Sequence, residues 1–206
     1  MARDGWRRLR RIDFSDVDYP GTLYRADAAN FRVPQQPRQI RYIIIHITGG
    51  PAQNEGPAIN TFRNGPASAH YIVNRQGDIT QFVRDAHIAN HVDNINSETN
   101  RDSIGIEHVN QWSHGIHMHP THRQYAASAQ LVAWLCHRYN IPIVHDTRRH
   151  APGIRGHIEE QPNSGHTACP NPAWDWHAYI SLVQNVRIQS FDQLIDSLAT
   201  DPDPFS

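Results

Sequence analysis

His46 stands near the end of a β-branched run at residues 41–48 that is apolar from Tyr42 to Ile45, and its imidazole is a potential metal ligand. Such a run is typical of a strand that is buried on both faces. In open α/β sheets ligands bind beyond the carboxyl ends of the strands, so a histidine at this place can face a crevice. Taken alone, His46 is better explained as a hydrogen-bonded histidine at the edge of the core.

Two further potential ligands, His157 and Cys169, lie 12 positions apart in a segment rich in Gly and Pro. Zinc readily binds imidazole nitrogen and thiolate sulfur, and catalytic zinc sites use three protein ligands and leave one position for water. We therefore predict that His46, His157 and Cys169 hold one zinc ion. The alternatives for Cys169 are a buried apolar thiol or a disulfide with Cys136, which lies on the apolar face of a predicted helix.

Glu107 follows the apolar residues Ile104 and Ile106 at the end of a second predicted strand. These neighbours predict a carboxylate in a partly dry site, where burial raises its pKa toward neutrality. Such a group can take a proton from water and return it to a leaving amine. The alternative is a salt-bridged glutamate at the surface.

The elements that must position these side chains alternate between strand and helix patterns. Strands are predicted at 41–48 and 104–109, a hairpin at 69–74 and 79–83, helices at 57–64, 121–139 and 174–186, and a loop at 147–172. This order predicts a single α/β domain with a mixed central β-sheet flanked by helices. Residues 1–38 are expected to form an extended segment packed on a domain at 39–188, and residues 189–206 a tail.

Composition excludes several classes of protein. The net charge of -1 provides no field that would attract nucleic acid or an anionic membrane. Two cysteines are too few for a disulfide scaffold. We find no apolar run long enough to span a membrane and no readable secretory signal. We therefore expect no binding to nucleic acid or to a membrane. We also expect the protein to be a monomer.

Five ordered segments carry a family resemblance: YIIIHIT at 42–48, SAHYIV at 68–73, RDSIGIE at 101–107, GH at 156–157 and TACP at 167–170. Together they resemble the zinc-dependent N-acetylmuramoyl-L-alanine amidases of type 2, which are related to phage amidase-type lysozymes and peptidoglycan recognition proteins. The resemblance implies the fold of those proteins and hydrolysis of the amide bond between N-acetylmuramic acid and L-alanine in peptidoglycan. A non-catalytic peptidoglycan-binding module of the same fold is the alternative.

The resemblance also implies roles for single residues. His46, His157 and Cys169 correspond to the zinc ligands, and Glu107 is similar to the catalytic glutamate of the recycling branch. Thr167, or the neighbouring imidazole of His166, is expected to donate to the oxyanion. The residues expected to contact the muramyl-peptide substrate are His91, His166 and Tyr71.

Two positions depart from the family pattern. Ala69 stands where the phage-type branch has a catalytic tyrosine, so Glu107 is expected to carry the proton transfers. Asn90 replaces the tryptophan that usually precedes the histidine at position 91.

The substrate is expected to be either intact cell wall, reached by a non-classical or holin-type release from the cytoplasm, or recycled wall fragments.

Overall fold

The computed structural model of the chain describes residues 16–49, 54–110, 112–113, 116–161, 169–170 and 172–186. Its strands are β1 Tyr24–Arg25, β2 Phe31–Arg32, β3 Tyr42–Ile47, β4 Tyr71–Val73, β5 Ile79–Gln81, β6 Ile88–Ala89, β7 Ser103–His108, β8 Trp112–Ser113, β9 Ile116–His117 and β10 Gly153–Gly156. Its helices are α1 Gly56–Asn64, α2 Glu98–Asp102, α3 His122–Tyr139, α4 His157–Glu160 and α5 Trp176–Asn185. The predicted 189–206 tail and the arginine-rich start of the chain lie outside the described residues.

The central sheet has the strand order β1-β5-β4-β7-β3-β10. Strand β3 lies between β7 and β10 and is parallel to both, while β4 is parallel to β7 and antiparallel to β5. Helices α3 and α5 pack together on one face of this sheet. The structure thus confirms the predicted mixed sheet with flanking helices.

Side chains alternate between the two faces of the central strands. Ile43 and Ile45 of β3 belong to the large core beneath α3 and α5, and Ile106 of β7 belongs to the same core. The intervening residues of each strand face the opposite side, and His46 is directly paired with Glu107 there. The register therefore places one predicted ligand and the predicted proton carrier side by side.

Local signals explain why the long helix forms where it was predicted. The Thr121 hydroxyl accepts a hydrogen bond from the backbone N–H of Gln124, which caps the start of α3. Asn140 ends the helix in the left-handed conformation, with φ of 53°. The predicted hairpin is also present as β4 and β5, and Gly77 turns between them with φ of 95°. No helix among the described residues has the length and apolarity needed to cross a bilayer.

The predicted loop at 147–172 was wrong over residues 153–160. These residues form β10, which extends the sheet beyond β3, and the short helix α4. The pattern was missed because β10 has four residues, two of them glycine, and its Arg155 is fully buried although arginine usually marks a surface. An ion pair of 2.7 Å with the equally buried Glu160 of α4 compensates the charge of Arg155.

Short strands also lie within the predicted N-terminal segment. Strand β1 pairs in parallel with β5 at one edge of the central sheet, and β2 pairs with β6 in a separate two-stranded ribbon. A carboxylate oxygen of Asp18 accepts hydrogen bonds from the side chain of Gln81 and from the backbone of Asp85. These contacts attach the described part of the segment to the sheet.

Candidate metal centre

Three side chains that are far apart in the chain meet at the carboxyl end of β3. His46, His157 and Cys169 are all buried, and one donor atom from each lies within 4.8 Å of the others. The Nδ1 atom of His46 is 3.7 Å from the Sγ atom of Cys169. Cys136 and Cys169 are both free thiols, so the alternative of a disulfide between them is wrong.

The sheet and α4 bring the two imidazoles together. Gly156 at the end of β10 pairs with Ile45, so the next residues on the two strands, His157 and His46, become neighbours. Their ring centroids are 4.7 Å apart. The backbone N–H of Ile158 donates to the carbonyl of Cys169 at 2.9 Å, which holds the third donor against the start of α4.

The donor set fits a tetrahedral zinc ion. Bond lengths of about 2.0–2.1 Å to nitrogen and 2.3 Å to sulfur imply donor atoms roughly 3.3–3.7 Å apart. The pair formed by His46 and Cys169 already has this spacing, and a shift of roughly 1 Å would bring a donor at the 4.8 Å limit into range. Two imidazoles and a thiolate are also softer ligands than magnesium or calcium prefers.

The chemistry of Cys169 supports a cation at this place. Burial raises the pKa of its thiol well above the usual value, and the nearby Glu107 raises it further. A thiolate is therefore unfavourable here unless a positive charge lies beside it. A bound metal ion provides such a charge and deprotonates a coordinating thiol outright.

Glu107 lies beside this cluster and faces a pocket of about 190 Å³ between α1 and the ends of β3 and β7. Burial raises the pKa of Glu107 to about 8, and its Oε2 atom has no hydrogen-bond partner among the described residues. The surface glutamate considered as an alternative does not occur. Other residues that line the pocket are Thr48, Asn54, Ala58, Thr61 and Phe62.

The structure places His91 behind His46 and changes its predicted role. Its Nδ1 atom is 2.9 Å from Nε2 of His46, and its Nε2 atom is 3.0 Å from the hydroxyl of Ser103. Burial, followed by the charges of His157 and Arg38, lowers the pKa of His91 well below its usual value. Both ring nitrogens are thus engaged inside the protein, so the predicted hydrogen bond to substrate is replaced by one to a predicted ligand.

The predicted substrate contact of Tyr71 was wrong. Tyr71 pairs with Ile106 and shares the core face of the sheet, whereas its neighbour Ile72 is paired with Glu107. Its side chain is fully buried, and its hydroxyl donates to Asp85 at 2.8 Å. The strand alternation therefore points this phenol away from the pocket. His166, the third predicted substrate contact, and Thr167, the predicted oxyanion donor, lie outside the described residues.

Sequence reasoning missed two residues that contact the predicted ligands or their neighbours. Ser103 holds His91, and the side-chain oxygen of Gln161 lies 3.1 Å from Nε2 of His157. Both could have been found from spacing. Ser103 lies four positions before Glu107 on the same strand face, and Gln161 follows His157 by four positions, which is one helical turn.

Residues 36–172 match the sequence model described as N-acetylmuramoyl-L-alanine amidase. The chain belongs to this family. The expectation of an N-acetylmuramoyl-L-alanine amidase, an enzyme that acts on peptidoglycan, is confirmed by this match. A comparison with curated protein sequences gives no significant match.

Solved structures share the fold of this amidase. A selenomethionine derivative of AmpD is 22% identical with a TM-score of 0.58, and the alignment covers 81% of this chain and 98% of that one. PlyL is 20% identical with a TM-score of 0.57, over 80% and 98% of the two chains. The amidase LysC from Clostridium intestinale URNW is 14% identical with a TM-score of 0.53, over 79% and 98%.

Proposed function

We propose that this amidase is zinc-dependent and cleaves the amide bond between N-acetylmuramic acid and L-alanine in peptidoglycan or in muramyl peptides. His46, His157 and Cys169 would hold the zinc ion, and Glu107 would move the protons. The observation that carries this proposal is the convergence of three buried donors beside a buried carboxylate, one oxygen of which has no hydrogen-bond partner among the described residues. That carboxylate favours catalysis over binding alone.

Glu107 is suited to both proton transfers of amide hydrolysis. Zinc, when bound, supplies Lewis acidity and makes a water proton acidic near neutral pH. The carboxylate of Glu107 accepts that proton while the water oxygen forms a bond to the lactyl carbonyl carbon. As the C–N bond breaks, Glu107 returns the proton to the nitrogen of L-alanine. The products are a lactyl carboxylate and a free amine.

The surroundings of Glu107 support this double role. Burial raises its pKa to about 8, close to neutral pH, and efficient proton transfer requires such a value. The adjoining pocket offers an apolar wall at Ala58 and Phe62 and hydroxyl groups at Thr48 and Thr61 for the groups that flank the bond. Thr167 or His166 remains the predicted donor to the oxyanion.

The test combines metal analysis with the identity of the products. Purified protein is analysed for zinc, incubated with purified sacculi, and the released material is examined by mass spectrometry. We expect one zinc per chain, new L-alanine amino termini, and loss of this product after chelation with recovery on adding Zn²⁺. New sugar reducing ends or new peptide-internal amino termini, without free L-alanine termini, would contradict the proposed bond. Full activity in zinc-free protein would contradict the proposed cofactor.

A further inference from the structure

A line of hydrogen bonds leads from His46 into the interior of the protein. Nε2 of His46 is 2.9 Å from Nδ1 of His91, and Nε2 of His91 is 3.0 Å from the hydroxyl oxygen of Ser103. The Ser103 hydroxyl is in turn 2.6 Å from the backbone carbonyl of Thr99. The line ends there, because a carbonyl oxygen can only accept.

The end of the line fixes the direction of every bond in it. The Ser103 hydroxyl has one proton, and the short contact to the Thr99 carbonyl requires that proton. Toward His91 the Ser103 oxygen can therefore only accept, so Nε2 of His91 carries a hydrogen. In a neutral ring Nδ1 of His91 is then the acceptor, and Nε2 of His46 is the donor. Nδ1 of His46, which faces Cys169, is left with its lone pair.

We propose that His91 and Ser103 are positioning residues that hold His46 in the tautomer whose Nδ1 atom binds the metal ion. This inference rests on the proposed zinc site. Metal-binding histidines commonly donate their other ring N–H to a protein group, which fixes the tautomer and the ring orientation. Here the acceptor is a second imidazole, and its own tautomer is fixed by a serine.

The surroundings of His91 are built to hold its ring in this place. The side-chain oxygen of the fully buried Asn100 accepts hydrogen bonds from the backbone N–H groups of His91 and Val92, at 3.2 and 2.9 Å. Ser103 is also fully buried. The acceptor for His46 is therefore fixed through both its backbone and its side chain.

His157, the other predicted histidine ligand, also has an acceptor beside its Nε2 atom. Nε2 of His157 lies 3.1 Å from the side-chain oxygen of Gln161, which accepts a hydrogen bond. Both histidines would then present Nδ1 to the ion. The two acceptors differ, because Gln161 lies one helical turn after His157, whereas His91 is brought to His46 from another part of the chain.

Matched variants test the role of the line. His91→Leu removes the acceptor for His46, while His91→Asn keeps an oxygen near the position of Nδ1. Ser103→Ala removes the group that fixes His91. Thr80→Val serves as a control, because it deletes another buried hydroxyl, on strand β5, outside the line. The measured quantity is the dissociation constant for Zn²⁺, determined by competition with a chromogenic chelator.

We expect His91→Leu and Ser103→Ala to weaken zinc binding by about 10–100-fold, which is the usual effect of losing such a partner. His91→Asn should bind zinc more tightly than His91→Leu, and Thr80→Val should match the unmodified protein. Zinc binding within about twofold of the unmodified protein in both His91→Leu and Ser103→Ala would overturn the proposal.

A second measurement reads the tautomers directly. In zinc-loaded protein with ¹⁵N-labelled histidine, long-range ¹H–¹⁵N spectra should place the hydrogen of both His46 and His91 on Nε2. A hydrogen on Nδ1 of His91 would overturn the proposal. The unmodified protein also separates this inference from the proposed function. Failure of that protein to bind zinc removes both, whereas tight zinc binding that both His91→Leu and Ser103→Ala leave unchanged removes only the role of His91 and Ser103.

Discussion

The imidazole of His91 lies directly over Gly105. A β-carbon at position 105 would be 2.5 Å from Cγ and Nδ1 of the ring, closer than two such atoms can approach. The clashing atoms belong to a ring that is held at both nitrogens, so it cannot turn aside without losing a hydrogen bond. The absence of a side chain on this part of β7 therefore makes room for the residue that contacts His46.

Gly105→Ala should consequently weaken zinc binding although position 105 contributes no ligand. The added methyl group pushes the His91 ring away from Nε2 of His46, and we expect a loss of about 10-fold or more in zinc affinity. Chelator competition measures this loss, and Gly49→Ala is a control, because a β-carbon there meets no atom of the described residues within 4 Å. Equal zinc affinities for the two variants would contradict the expectation.

Glu107→Gln should retain zinc and lose most of its turnover. The substitution keeps the size of the side chain but removes the group that accepts and returns the proton, which is worth about 10²–10⁴-fold in rate. Release of stem peptide from a muramyl-peptide substrate measures the rate, and elemental analysis measures the zinc content. Glu98→Gln removes an exposed carboxylate of α2 and should behave as the unmodified protein. Unchanged turnover in Glu107→Gln would remove this residue from the mechanism.

Cys169→Ala should abolish stoichiometric zinc binding, whereas Cys136→Ala should not. Both changes delete a buried thiol, but only Cys169 lies beside His46, while Cys136 is on α3 and belongs to the core between that helix and the sheet. The loss of one of three ligands, with the charge that the thiolate brings, explains the difference. Zinc per chain after dialysis decides the outcome. The ligand assignment fails if Cys169→Ala keeps a full equivalent of zinc.

Sequence patterns predicted the elements whose side chains obey simple rules of burial. The run of isoleucines in β3 has no polar interruption before His46, and α3 has caps at both ends. Strand β10 could not be predicted in this way. Its identity depends on a buried ion pair between Arg155 and Glu160, and a single-residue burial preference does not anticipate a partner.

The candidate site likewise contains some residues whose roles the sequence predicts and others whose roles it does not. The donor chemistry of His46, His157 and Cys169 was sufficient to expect that they converge. The role of Tyr71 depended instead on strand register, and that of His91 on the groups that are hydrogen-bonded to its two ring nitrogens. Tyr71 was misplaced because one position along β4 separates the pocket face from the core face.

The ion pair between Arg155 and Glu160 should be costly to break on one side only. Both side chains are fully buried, and the guanidinium also lies 4.9 Å from the ring centroid of Tyr42. Removing one partner leaves an uncompensated buried charge, so we expect Glu160→Gln to lower the free energy of unfolding by about 3–5 kcal/mol. The double variant Arg155→Met with Glu160→Gln should lose less. Urea denaturation measures both, and a larger loss in the double variant would contradict this account.

Asp85 should make the stability of the protein depend on pH. Its carboxyl is fully buried on the core side of the sheet and accepts hydrogen bonds from the hydroxyls of Tyr71 and Tyr139. Burial, followed by the charge of Asp18, raises its pKa from 3.8 to about 7, and the two phenols offset only part of this effect. The folded protein therefore favours the protonated carboxyl more strongly than the unfolded chain does.

The sign of the effect follows from this difference. Below pH 4 the carboxyl is protonated in both states. Between about pH 4 and 7 the folded state holds the proton that the unfolded chain has released, so the contribution of Asp85 to stability falls as pH rises, by about 1.4 kcal/mol per pH unit. Asp85→Asn removes this titration. The substitution also removes one acceptor oxygen and with it the hydrogen bond from Tyr139 or Tyr71, but the cost of that loss does not vary with pH. The change with pH in the difference in unfolding free energy between the two proteins therefore reports the charge of Asp85. Urea denaturation at pH 5 and pH 8 should show the unmodified protein losing stability relative to Asp85→Asn, and a difference that stays constant between these pH values would show that the carboxyl titrates normally.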